Sequence, residues 1–237
     1  MPHTRPESGS EVDSVAYPPE PWLLRGDGWA SAWLVDSAAL PALPTSVEPV
    51  TLLGKAVVVT AFADYRPGGV LAYRELLAVV LVRRGVRIGL SITDIWVDSP
   101  ASRAGGRALW GIPKDLARFE STAVPRSTAV PRSTAVPRST DGDVAIAAVR
   151  VDRPVRWRFP FRAGATLWQA VPEGVASTPL RIRGRVGFAR LSWRVDAAGP
   201  LAWLGTARPL FGLAFTGFRL RFGPRRHVPS AGLVPRT

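Results

Sequence analysis

The sequence predicts a mainly β protein of the α+β kind, with few short helices. Three observations predict it. Runs of β-branched and apolar residues such as Ala56–Ala63 (AVVVTAFA) are short and are divided by turns rich in Gly and Pro. In the C-terminal half, arginines alternate with apolar residues over Val155–Phe161, Leu180–Val195 and Phe218–Phe222, the two-residue period of strands with one buried face. One stretch, Pro100–Trp110, carries a clear helix start. Many short strands with one wet face argue for a mainly antiparallel sheet, and closure into a barrel would bury its other face. With 237 residues, 46% of them apolar, a single domain of this kind can hold a sizeable core.

In chain order, residues 1–20 are polar, acidic and proline-rich and read as a flexible arm. Trp22 opens the folded part, and Trp29–Asp36 (WASAWLVD) reads as a first strand. Ser37–Leu43 is expected as a short helix stopped by Pro44. Ala56–Ala63 is a buried strand, and Asp64–Gly69 (DYRPGG) a turn. Leu71–Val82 and Val86–Asp98, joined by Arg83–Gly85, form a β-hairpin. On its first strand the two-residue period puts Tyr73, Glu75 and Leu77 on one face and Arg74 and Leu76 on the other. Ser99 is an N-cap and Pro100 a first helical residue, so a helix spans Pro100–Trp110 in spite of Gly105 and Gly106. Pro113 pushes Ile112 to an extended shape and ends it. Lys114–Glu120 is a new strand.

STAVPR then occurs three times in tandem, from Ser121, Ser127 and Ser133. Three copies without a long apolar face make no solenoid. A mobile, extended loop over 121–140 is expected, since each copy carries a proline and added loop length costs little. Asp143–Val151 resumes the strands. The domain runs from 21 to 228, and 229–237 form a tail.

Composition removes several chemistries. The chain has no cysteine, and its two histidines, His3 and His227, sit near the ends. Disulfides, thiol nucleophiles, Cys- or His-based metal sites and a Ser-His-Asp triad in the body are not expected. Acid–base work falls to carboxylates, Tyr or Lys. No apolar run reaches membrane-spanning length and no secretory leader is visible, so a cytoplasmic protein is expected, with no membrane partner. The net charge of +13 would suit an acidic partner. Here, however, the aromatics of the alternating segments are expected to face the core, opposite the arginines, and a single-strand nucleic-acid surface needs both on one face. No nucleic-acid partner is expected.

Of 31 basic residues only Lys55 and Lys114 are lysine. An arginine stays charged, whereas lysine can shed its proton and attack a carbonyl. A free lysine ionises near pH ~10.4, so bringing it close to neutrality needs roughly 4 kcal/mol of preference for the neutral amine. Apolar walls can supply that; Trp110, Ile112, Leu116 and Phe119 are candidates. A buried amine forms a Schiff base with a ketone, and the iminium draws electrons from a neighbouring carbon. Glu75 could then move protons. The plain alternatives are a surface lysine at 114 and an arginine-paired Glu75.

GGRALWGIPKDLARFE resembles the signature of the acetoacetate decarboxylase family, roughly G-R-E-x-x-x-x-P-K-K-x, and Tyr73–Glu75 resembles its upstream Y-x-E. The resemblance covers about Trp22–Glu120. It implies a cone-shaped closed antiparallel β-barrel, often oligomeric, with Lys114 as the Schiff-base lysine and Glu75 the acid beside it. It implies a small keto acid or ketone as partner, bound by Tyr73, Trp110 and Arg25, with no cofactor and no metal. Three positions depart from the pattern. Asp115 stands where the family has a second lysine; on a strand it would point away from the site. Ungapped alignment places Thr60 at a second family glutamate. Arg25 lies about one position from the family's N-terminal arginine. The expected activity is decarboxylation of a β-keto acid or related aldolase or dehydratase chemistry. A non-catalytic small-molecule-binding member of the same fold is the alternative.

Overall fold

The computed structural model describes residues 15–122, 132–137, 146–153 and 157–228. Strands dominate them: β1 (Trp22–Val35), β2 (Glu48–Pro49), β3 (Thr51–Leu52), β4 (Lys55–Tyr65), β5 (Tyr73–Arg84) and β6 (Arg87–Val97) precede the helix α1 (Pro100–Trp110). After it come β7 (Lys114–Thr122), β8 (Arg132–Pro137), β9 (Ala147–Arg153), β10 (Phe159–Val171), β11 (Gly174–Val195), β12 (Pro209–Phe222) and β13 (Arg226–Val228). The strand path is β10-β6-β7-β8-β9-β11-β12-β1-β4-β5-β2, with further pairings β5–β6 and β10–β11.

The sheet is mainly antiparallel, as expected, and departs from the antiparallel barrel that the resemblance implies at two pairings. β6 and β7 run parallel, as do β10 and β6. The reason is α1: it carries the chain back along the sheet, so β7 enters beside β6 in the same direction. Ser99 caps the helix by accepting from the Ser102 amide at 3.2 Å, and Pro100 occupies its first turn. Gly111, left-handed at φ 67°, closes it, with its amide on the Arg107 carbonyl and the Ile112 amide on that of Gly106. The stop is therefore this glycine, one residue before the Ile-Pro step.

Several element boundaries differ from expectation. β1 starts at Trp22, because Gly26 and Gly28 form an irregularity within a strand and not its start. A Cβ at Gly26 would lie 2.0 Å from the Asp64 carbonyl oxygen, so glycine admits the close approach of β4. The helix expected over Ser37–Leu43 is a single 3-10 turn, Ser37–Ala39, because Pro41 holds Leu40 extended. Within the STAVPR repeat, Arg132–Pro137 is a strand paired to β7 and β9, against the expectation of a loop there. The rest of that expected loop, 123–131 and 138–140, lies outside the described residues, as do 141–145, so the strand expected over Asp143–Val151 is described only as β9, Ala147–Arg153. Residues 154–156 lie outside too; of the segment Val155–Phe161 the described part starts at Trp157, and its strand begins at Phe159 and runs to Val171. Residues 1–14 of the expected arm and 229–237 of the tail also lie outside. Pro18 and Glu20 are tied to the sheet: the Trp22 indole donates to the Pro18 carbonyl, and Glu20 accepts from Trp110 and the Arg225 amide.

The sheet carries an apolar cluster on each side of β5, while the arginine-bearing face of β10, β11 and β12 stays exposed. Leu76, Ala78, Val80 and Val82 of β5 join one apolar cluster with Trp33, Val58, Phe62 and Phe119. Tyr73 and Val79 join a second with Trp22, Leu24, Tyr65, Ile95, Trp110, Ile112, Phe218 and Phe222. The alternation expected for β5 is borne out. Not every aromatic of the alternating segments is buried, however: Trp157, Phe159 and Phe188 are largely exposed, and the expectation that these face the core is corrected.

Candidate active site

Lys114 is the first residue of β7 and Glu75 the third of β5, with β6 between them. Ile95 pairs with Lys114, and Val97 with Glu75. This register sets both side chains on the second apolar cluster, where Lys114 is 4% and Glu75 5% exposed. Lys114 Nζ donates to Glu75 Oε2 at 2.9 Å, Ser102 Oγ at 2.9 Å and Tyr73 OH at 3.3 Å. Its three donors are thus all used. Tyr65 OH donates to the other carboxylate oxygen at 3.1 Å, and Tyr73 OH lies 3.4 Å from Oε2. Lys114 Nζ also sits 5.0 Å from the centre of the Tyr73 ring and 6.0 Å from that of Trp22.

Burial pushes both phenols well above their usual range, and the Glu75 charge adds to it, so Tyr65 and Tyr73 stay neutral donors. Taking a carboxylate and an ammonium out of water costs several kcal/mol each, which a well-placed pair and its hydrogen bonds must offset. Apolar residues would fill the same space at lower cost, so the arrangement is one that function selects more readily than stability does.

The helix shapes the lysine's channel. A Cβ at Gly106 would lie 2.6 Å from Lys114 Cδ, and one at Gly105 2.5 Å from the Trp22 ring. The two glycines that weaken the helix in propensity are therefore the surface against which the lysine stem and Trp22 lie. Arg107 Nε donates to the Lys114 carbonyl at 2.6 Å, and its Nη2 to Asp115 Oδ1 at 2.8 Å. The Gly-Arg of the motif thus positions the lysine backbone. Asp115 is exposed and paired to Arg107, on the face opposite Lys114, as the strand reading expects.

The sequence-derived candidates divide. Lys114, Glu75 and Tyr73 come together. Trp110 does not touch the amine: it packs edge-on to Trp22 with ring centres 4.8 Å apart, behind the site, and its indole donates to Glu20. Arg25 points from β1 to the exposed face, whereas its neighbours Trp22 and Leu24 point to the buried one, so the structure does not bring it to Lys114. Thr60 is not opposite Glu75 either. It pairs with Ala78 on the other face and accepts from the Trp33 indole; the residue across from Glu75 is Ala63. Sequence reasoning missed Ser102, Tyr65 and Trp22. Tyr65 was legible, since a second tyrosine ends the strand preceding Tyr73 across the Pro-Gly turn. Ser102 was legible only as the third residue of a capped helix. Among the described residues no group of three or more His, Asp or Glu could hold a metal, and no helix is long and apolar enough to cross a membrane.

A buried primary amine, a carboxylate within hydrogen-bond reach and two phenols at the core of a β-sheet define a class of site able to do amine–carbonyl chemistry. The family model for acetoacetate decarboxylase matches residues 1–170, and the chain belongs to that family. Solved structures share its fold. An acetoacetate decarboxylase from Legionella pneumophila superposes with TM-score 0.71 at 21% identity, covering 98% of this chain and 93% of that one. The enduracididine biosynthesis enzyme MppR, complexed with pyruvate, gives 0.61 at 17% identity, covering 91% and 92%. An acetoacetate decarboxylase-like enzyme from Sphingomonas wittichii gives 0.60 at 15%, covering 93% and 95%. No curated protein matches the chain in sequence.

Proposed function

We propose that the chain is a lysine-dependent enzyme that forms a Schiff base with a small keto acid and cleaves a carbon–carbon bond, with decarboxylation of a β-keto acid as the leading reaction. The observation that carries this reading is the Lys114–Glu75 contact of 2.9 Å in an apolar surround. In the reaction, Lys114 Nζ passes a proton to Glu75 and attacks the ketone carbon, and water leaves to give an iminium. The bond from the α-carbon to the carboxylate then breaks. Its electrons flow to the iminium nitrogen, carbon dioxide departs, and an enamine remains. Glu75, whose first proton left with the water, takes up another from solvent and delivers it to the α-carbon, and hydrolysis releases the ketone and the free amine. The aldolase or dehydratase chemistry expected as the close alternative would use the same imine.

The reading includes the finer features that the resemblance implies: a closed, cone-shaped barrel, a single domain over 21–228, a cytoplasmic enzyme that assembles as a homo-oligomer, and catalysis without a cofactor. The pairings β5–β6 and β10–β11, which rejoin the strand path to itself, support closure.

One observation favours a second reading, a non-catalytic ligand-binding member. Ala63 faces Glu75, so that pair of positions holds one carboxylate, and Arg25 is turned outward. Carbon dioxide release decides between them. Turnover of acetoacetate or a related β-keto acid that is lost in Lys114→Arg supports the enzyme; saturable binding without release of carbon dioxide from any keto acid supports the binder.

A further inference from the structure

We propose that the outer face of β10, β11, β12 and β1 is a binding groove for a compact phosphate chain, such as a short polyphosphate. Four arginines stand in one cross-strand row: Arg162 pairs with Arg183, Arg183 with Arg219, and Arg219 with Arg25. Two residues along, Arg181 pairs with Arg221. All six are exposed and line one groove, whose wall is completed by Leu23, Ala163 and Gly164. None forms an ion pair with a described carboxylate, and none of the other described arginines on the sheet stands in such a row.

Like charges placed directly across strands repel. Four in a row with no counter-charge is an arrangement that stability alone disfavours, and an anion lying across it would relieve the repulsion. The use of arginine in place of lysine says nothing here, since nearly all the chain's cations are arginine, and unpaired arginines are common in a chain of net charge +13; the cross-strand register and the shared groove carry the argument. At about 4.8 Å between strands the row is roughly 14 Å long, and each guanidinium offers a fork that matches phosphate oxygens. One carboxylate of a keto acid needs no such row. A single-stranded nucleic acid would want aromatic stacking platforms, and no aromatic residue lines this groove. Arg25 marks its edge: a Cβ at Gly68 would lie 2.8 Å from the Arg25 Nη1, so glycine leaves the guanidinium its place.

Calorimetric titration with sodium tripolyphosphate, orthophosphate and a single-stranded oligonucleotide tests this, with wild type and Arg183→Gln/Arg219→Gln. The expected result is tripolyphosphate bound more tightly than orthophosphate, weakened by added salt, and weakened about tenfold for each guanidinium removed. Relieved of like-charge repulsion, the variant should melt no lower than wild type without ligand, and borohydride trapping at Lys114 should be unaffected. If the central pair lowers the melting temperature, Arg181→Gln/Arg221→Gln makes the same test. Absent tripolyphosphate binding, binding equal to that of orthophosphate, or binding unchanged in folded variants overturns the proposal. Tighter binding of the oligonucleotide than of tripolyphosphate, at equal phosphate, overturns it in favour of nucleic acid.

Discussion

Lys114 and Glu75 reach each other across β6, at 2.9 Å and almost out of contact with water. Thirty-nine positions separate them in the chain. The parallel entry of β7 beside β6 closes that distance, and the turn of α1 makes that entry possible.

Removing one partner should cost far more than removing both. Glu75→Leu leaves an ammonium buried without its counter-charge and is expected to lose about 3–5 kcal/mol of stability. Glu75→Leu/Lys114→Met replaces the pair with apolar groups and should recover most of that loss. Urea denaturation of the two single variants and the double one measures it; a double variant as unstable as the sum of the singles would contradict a coupled pair.

Gly106→Ala should damage the site although it favours the helix. Alanine gains about 1 kcal/mol of helix propensity over glycine. Its methyl would meet the Lys114 stem at 2.6 Å, and overpacking of this kind costs typically ~1–3 kcal/mol. The expected outcome is a net fall in melting temperature together with imine trapping slowed by about tenfold or more. A variant that is more stable and traps normally would show that the lysine stem does not depend on this contact.

The two phenols predict an alkaline loss of stability. Tyr65 and Tyr73 hold their protons well above the ordinary value of 10.0 in the folded state. As pH rises through that value the unfolded chain releases these protons and the folded one does not. The unfolded state then binds fewer protons, so stability falls with pH, having been whole below it. Urea midpoints measured across that range should decline, and Tyr65→Phe should flatten the decline. An unchanged slope in that variant would contradict the assignment.

Asp94 predicts the same sign at lower pH. Burial raises its carboxyl, and hydrogen bonding toward Thr93 and Trp203 only partly offsets this; its Oδ2 is buried without a partner of good geometry. The unfolded chain ionises first as pH rises from about 3.8, so stability drains away until the folded group ionises too. Asp94→Asn removes that loss and should raise the urea midpoint at neutral pH relative to its value in acid. A midpoint ratio independent of pH would contradict it.

Much of this site was legible because its residues obey local rules. Period-two alternation puts Tyr73 with Glu75, proline after a cap starts α1, and a lone lysine after Ile-Pro draws attention in a chain that otherwise uses arginine. What was not legible depends on register between distant strands. Thr60 and Ala63 lie three positions apart and so on opposite faces of β4, and only the register with β5 decides which of them faces Glu75. Arg25 fails in the same way: its side of β1 is decided by alternation with Trp22 and Leu24, in a strand whose glycines made it look broken. Ser102 comes to the amine only through the placement of α1 over β7, which no pattern within the helix records. The parallel pairing of β6 and β7 escaped notice because a short helix was read as an interruption and not as a crossover.

Borohydride trapping reads out imine formation at Lys114. The protein is incubated with acetoacetate and a panel of keto acids, reduced, digested and mapped by mass spectrometry. A reduced adduct on Lys114 is expected, absent from Lys114→Arg and strongly diminished in Glu75→Gln. An adduct confined to Lys55 or the N-terminal amine, or no adduct with any keto acid, would contradict it.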